Sequence, residues 1–376
     1  MGFRTLEGEL DNLFFTDYEL IDRFVGHTLF SWGYNNFGQM GDSSTISKSS
    51  PIQIGALTNW KQVSSIGNVS AGIKTDGTLW MWGYNNNGQL GDGTIAPKSS
   101  PIQVGSLTDW LSIKVGSINA LAIKTDGTLW SWGANSYGQL GDGTIAPKSS
   151  PIQVGSLTDW KDVITYDSHV LAIKTDGTLW SWGRNTYGQL GDDTVVGKSS
   201  PIQIGTLTDW KEVACSSLSS HAIKTDGTLW AWGYAYVGVL GDGTTTRKSS
   251  PVQIGALTDW KNLSAGWLHV LAIKTDGTLW GWGLNYYGQI GDGTIVDKSS
   301  PVQVGGLTDW KQTSAWSSNS FATKTDGTLW SWGPNNYGQL GDGTIVHKSS
   351  PIQVGSLTNW KQVAGGATPL VVTYGN

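Results

Sequence analysis

Few groups in these 376 residues are suited to covalent or acid–base chemistry. The lone cysteine, Cys215, can build neither an internal disulfide nor a cysteine zinc site, and it reads as a small packing residue near the inner end of a strand. The G-D-G-T stretch at Gly91 to Thr94, and its copies, lacks the lysine and the following helix that a phosphate loop needs. Asn-rich runs such as NNNGQLGDGT lack the alternating acids and terminal Glu of a calcium loop, so Asp92 and its copies read as turn caps. Nearly every carboxylate belongs to a repeated set, with Asp167 and Asp297 the main exceptions in loops. A catalytic site needs unique residues, and this chain offers almost none. The reading is a non-catalytic protein with no cofactor and no metal.

The chemistry that does stand out is recognition. Tyr34, Tyr84, Tyr166, Arg184, Tyr234, Tyr236, Trp267, Tyr286 and Trp316 lie in variable segments among Asn, Ser and Gly, with His169 and His269 as inner-loop polar residues beside them. Large aromatic anchors among small polar neighbours are the composition of a binding surface. Tyr137, Tyr187, Tyr287 and Tyr337 recur in a fixed Y-G-Q context and are expected to pack beneath the loop as scaffold.

What positions these residues is a repeat of fifty. A T-L-[WF]-x-W-G unit ends at Gly33, Gly83, Gly133, Gly183, Gly233, Gly283 and Gly333, and a proline strand begins at Pro51 and every fifty residues to Pro351. Each unit holds four short strand candidates separated by turns: A around 160–164, B around 170–174, C around 178–182 and D around 201–204. K-T-D-G-T between B and C is a hairpin signal, so B and C are antiparallel neighbours. One such sheet cannot bury both faces, whereas seven arranged radially stack and close, giving an all-β, seven-bladed propeller of four-stranded antiparallel blades. Twenty of the 22 tryptophans occupy three fixed places in the repeat and act as wedges between blades; Trp267 and Trp316 fall outside the pattern. The repeat opens on a C strand and closes after a B strand, so one blade takes A and B from the C-terminal end and C and D from residues 28–54.

The seven copies differ from one another in three places: the A–B loop (64–70 and equivalents), the residues after W-G (84–87) and the tripeptide before K-S-S (95–97). Alternating strand direction sends the A–B and C–D loops to one face and the B–C and D–A turns to the other. All three variable segments therefore share a face, and loops held on a rigid scaffold are where recognition is placed.

The units L-W-x-W-G-x-N-x-Y-G-Q-L-G-D-G-T, W-K-x-V and L-A-I-K-T-D-G resemble the regulator of chromosome condensation repeat over residues 28–376. The resemblance implies the seven-bladed fold, and a family Gly-x-x-His before strand B is kept at Gly266 and His269, while His169 has the His alone. The founding member's activity, nucleotide exchange on a small GTPase with chromatin docking, uses a wedge and a basic tail that have no counterpart here.

Net charge is −5, but residues 1–27 carry six acids against two Arg, which leaves the other 349 residues at −1. That balance gives no basic field for nucleic acid. No apolar run is long enough to span a membrane, and the N-terminal stretch lacks the features of a secretory leader. Residues 9–25 place Leu10, Leu13, Phe14, Tyr18, Ile21 and Val25 near helical spacing, either a cap on the propeller or a peg that docks it onto a larger assembly. The expectation is a binding or structural propeller holding a protein or glycan on its variable face, as a virion or surface-assembly component in a particle or the cytoplasm. The alternative is an intracellular regulator, an exchange factor or a protein inhibitor.

Overall fold

The computed structural model describes residues 27–374; the amphipathic stretch at 9–25 lies outside them. Among the described residues, twenty-eight strands, numbered β1 to β28 in chain order, form seven separate four-stranded sheets. Blade one comprises β3 (Trp60–Ile66), β4 (Val69–Lys74), β5 (Leu79–Gly83) and β6 (Lys98–Gln103), taking the A to D places from the axis outward. Its strands are antiparallel, with Val63 opposite Gly72, Gly72 opposite Trp80 and Trp80 opposite Gln103. Blades two to six repeat this order.

Blade seven is the clasp that the repeat phase predicts. Its sheet order is β2 (Lys48–Gln53), β1 (Leu29–Gly33), β28 (Leu370–Thr373) and β27 (Trp360–Ala364), with Phe30 opposite both Gln53 and Val371.

The core is a set of inter-blade seams. Between blades seven and one, Leu29, Ile54, Leu370 and Val372 pack on Trp60, Val63 and Trp82; between six and seven, Phe321, Leu329 and Val354 pack on Trp32 and Trp360. Every W-G tryptophan is fully buried, and each indole takes about 150–250 Å² out of water. Its Nε1 donates to a backbone carbonyl of the preceding blade, as Trp82 does to Gln39 at 2.9 Å. The same bond recurs from Trp132, Trp182, Trp232, Trp282, Trp332 and Trp32, so all seven seams carry it. Gly41 sits against this indole with φ +84, and a Cβ there would lie 2.7 Å from Trp82 Nε1. That close approach explains the glycine of G-Q-x-G.

The unvarying face is held by a second unit. Asp76 Oδ1 accepts from the Thr78 backbone N–H and hydroxyl, and Thr78 Oγ1 accepts from Trp80 Nε1 at 2.9 Å. In blade two the buried Lys124 pairs with Asp109 at 3.3 Å and lies over Trp130 and Trp110. Each residue of K-T-D-G-T-L-W thus has a partner inside its own blade, which is why the motif barely varies between copies.

Candidate binding face

The C–D loop is built around one buried asparagine. Asn85 Oδ1 accepts from Leu90 N–H, while Nδ2 donates to the carbonyls of Thr94 and Ala96 and to Asp92. Asp92 in turn accepts from Thr94 N–H and Oγ1 and pairs with Lys98 at 3.3 Å. These bonds hold its carboxyl below the usual range against the opposing effect of burial, the largest single influence on it. Asn35, Asn135, Asn185, Asn285 and Asn335 repeat the hub. Blade four has Ala235 instead, and there alone among the described residues the loop forms a short 3-10 turn, Tyr236–Gly238, with Val237 at φ +54.

With the loop frame fixed in this way, the three variable segments meet at one end of the disc. Tyr84 N–H donates to the Asn68 carbonyl of the A–B loop at 2.8 Å. Asn285 N–H donates to Asp297 Oδ1 at 2.7 Å, and Asn335 N–H donates to His347 Nδ1, which joins the segment after W-G to the tripeptide.

Aromatic rings run across blade boundaries on this face. Tyr337, Tyr34, Phe37 and Tyr84 form one chain through blades six, seven and one, with centroid separations of 4.9, 6.4 and 4.9 Å. Arg184 lies over Tyr137 at 5.1 Å and Tyr187 at 5.9 Å, and the group continues through Tyr234 to Tyr236. A third group joins Tyr286, Tyr287 and His347. Tyr286 is 68% and Tyr236 58% exposed, and Trp267 is also exposed. Tyr34, Tyr84, Arg184 and Tyr234 are half-buried. Two clefts of about 320 Å³ open here, one lined by Tyr34, Tyr287, Trp316 and Tyr337, the other by Tyr137, Thr186 and Arg184.

Three residues expected at the surface lie beneath it. Tyr166, His169 and His269 are buried. His169 Nε2 meets Ser220 Oγ at 3.1 Å and His269 Nε2 meets Ser320 Oγ at 3.0 Å, each serine donating on to a glutamine carbonyl. They are links between blades, and desolvation lowers both imidazoles to about 3, with the Arg184 charge adding to the effect at His169. Another buried histidine, His221, bonds Ser219 Oγ within its own strand, and it stands outside the Gly-x-x-His position that sequence points to.

Tyr166 of blade three meets the Ser317 backbone of blade six, and burial pushes its phenol up. Trp316 of blade six packs from across the axis against the cluster that contains Tyr166, and its Cζ2 is 3.5 Å from where a Cβ on Gly67 of blade one would sit. Together they cover the central channel at this face. Trp316 therefore divides its surface between the cleft and the plug.

The opposite correction applies to the Y-G-Q tyrosines. Tyr137 and Tyr337 are 47% and 53% exposed, Tyr287 is exposed and Tyr187 half-buried. The loop is anchored by other atoms: Tyr137 N–H donates to Gln139 Oε1, and a Cβ on Gly138 would lie 2.5 Å from Ser199 of the next blade. With glycine and glutamine doing the holding, the ring projects outward.

Cys215 is buried and its thiol is pushed up by desolvation. Asp167 is raised by burial, opposed by hydrogen bonds from Ser117 and Ser217 and by the Arg184 charge. No group of three or more His, Cys, Asp or Glu among the described residues is placed to hold a metal, and no helix among them is long and apolar enough to cross a membrane.

This arrangement defines a repeat propeller with one constant and one diversified face. The chain belongs to the RCC1-like domain family, whose profile matches residues 24–261. Profiles of the regulator of chromosome condensation (RCC1) repeat match 260–289, 276–322 and 326–371. A search of curated protein sequences found no match. Among solved structures, human WBSCR16 is similar at 21% identity and TM-score 0.82, covering 93% of this chain and 99% of its own. Yeast RCC1 (Prp20), solved bound to Kap60, is similar at 16% identity and TM-score 0.84, with coverage of 100% and 97%. Prp20p of Saccharomyces cerevisiae, described with its binding properties to Gsp1p and histones, is similar at 17% and 0.81, with coverage of 96% and 95%. At these identities the likeness is one of fold.

Proposed function

We propose that this chain is a non-catalytic, protein-binding regulator that holds its partner on the variable face. The observation that carries the reading is the set of exposed and half-buried aromatics linked across blades, Tyr34 to Tyr84 and Tyr137 to Tyr236, on the one face where the copies differ. Exposed aromatic surface is costly to leave in water unless a partner covers it, and Tyr with Arg in a polar surround is the composition of binding hot spots. Family membership adds support: the structural neighbours include a propeller described with Kap60 and with Gsp1p and histones, which are protein partners. The virion or surface-assembly role expected from sequence draws no support from the family or from these neighbours, which favour the regulator.

Partner capture from native extract by wild type and by a Tyr236→Ala/Tyr286→Ala variant tests the assignment. Loss of a protein from the variant, with its melting unchanged, is the expected result. A partner retained in full by the variant would overturn the face assignment.

A further inference from the structure

The channel mouth on the opposite, unvarying face has chemistry that net charge conceals. In every blade the A–B pairing shifts register between the first and third residues of the A strand, as between Trp60 and Gln62, so the second residue stands outside the ladder. A bulge of this kind aims a side chain away from the sheet. Because A is the innermost strand, the seven bulged residues ring the mouth. Six are lysines: Lys61, Lys161, Lys211, Lys261, Lys311 and Lys361. The seventh is Leu111, 44% exposed.

Among the described residues, Lys61, Lys161, Lys211, Lys261 and Lys311 are exposed and form no ion pair. Asp162 and Glu212 adjoin Lys161 and Lys211 in sequence; the aspartates two residues before the ring position are already engaged. Asp109, Asp159, Asp209, Asp259 and Asp309 each pair with a buried lysine of their own blade at 3.3–3.5 Å. Lys361 meets His27 Nε2 at 3.3 Å. Inside the mouth lies a cavity of about 220 Å³, lined by the A strands. Of the three charged groups here, Lys114 and Glu212 lie on its wall, and Asp162 is close enough for its charge to act on Glu212. Two of them are acids, so an anion is favoured at the mouth and opposed deeper in the channel.

We infer that this mouth binds a compact polyvalent anion of the polyphosphate class. Lys61, Lys161, Lys211, Lys261, Lys311 and Lys114 outweigh Asp162 and Glu212, leaving an excess of positive charge at the axis. The size limit comes from the hairpins. Asp76, Asp126, Asp176, Asp226, Asp276 and Asp326 are exposed at the B–C turns, one to two strand spacings farther from the axis, roughly 5–10 Å. That distance is within or near a Debye length at physiological ionic strength. An anion narrower than the lysine ring sits closer to the lysines than to the aspartates, whereas a nucleic-acid duplex laid across the disc meets the aspartate ring directly. The site is on the face opposite the proposed partner surface and does not depend on that reading.

Titration calorimetry of the full chain with tripolyphosphate at low ionic strength tests the inference. One saturable site per chain is expected, weakened about tenfold in Lys211→Gln/Lys261→Gln and strengthened roughly threefold in Leu111→Lys, at the few-fold effect typical of one exposed charge. Thermal melts of each variant report folding. No saturable binding, an affinity untouched by either substitution, or a duplex oligonucleotide binding as tightly as tripolyphosphate would each overturn it.

Discussion

Trp32 Nε1 donates to the Gln339 carbonyl at 3.0 Å, so the clasp blade is stapled to blade six by the bond that Trp182 makes to Gln139 in the uninterrupted part of the ring. The closing seam has the same chemistry as the others, and only its chain connectivity differs.

Trp32→Phe and Trp182→Phe should therefore cost similar amounts, about 1–3 kcal/mol each for a buried carbonyl left without its donor. Removing residues 359–376 takes β27 and β28 from the clasp and should abolish the cooperative transition. Urea unfolding followed by tryptophan fluorescence measures both. A Trp32→Phe loss several times that of Trp182→Phe would show that the clasp seam is special.

Surface and buried aromatics should part company. Tyr236→Ala and Tyr286→Ala are expected within about 0.5 kcal/mol of wild type, as for exposed positions elsewhere. Tyr166→Ala and His269→Ala should cost about 2–4 kcal/mol through cavity formation and unpaired polar groups. Equal losses at Tyr236 and Tyr166 would contradict the burial difference.

The Asn hub should be worth about 2 kcal/mol, since Asn185→Ala leaves Leu190 N–H and the Thr194 and Val196 carbonyls without their partner. Blade four shows that a C–D loop forms without it, so the expected outcome in denaturant melts is destabilisation with the fold retained.

Glu212 gives a pH signature. Burial and the Asp162 charge push its carboxyl up, opposed by the Leu263 N–H bond and by Lys211 and Lys114, to about 7. With the folded value above the unfolded one, the native state holds more protons between them, so this group's contribution falls as pH rises from about 4.5 to 7. Glu212→Gln keeps the acceptor for Leu263. Its stability advantage over wild type should grow across that window and level off above it. The three buried histidines, lowered to about 3, act in the opposite sense and cancel in this difference. Their own signature is a stability present above about 6.5 and lost as pH falls towards 3. A Glu212→Gln advantage that does not vary with pH would remove the assigned carboxyl shift.

Blade number, strand order and clasp were legible because a fifty-residue period, a K-T-D-G-T hairpin and the phase of the first and last units are local or periodic facts. So was the face on which the variable segments meet, since strand alternation alone dictates it. Depth within that face was not legible. Tyr166 and Tyr236 are the same residue type in equally variable segments, yet one is buried across the axis against Ser317 and the other stands 58% exposed.

The sequence by itself determined what repeats: the blades, their closure and the division into a constant and a diversified face. Tertiary structure alone decided what seven strands share at the axis, because the period gives each residue its place within a blade but not which side chains meet across the channel. Trp316 reaching the cluster that contains Tyr166, and six lysines gathered around one mouth in a chain of net negative charge, are consequences of closing the ring.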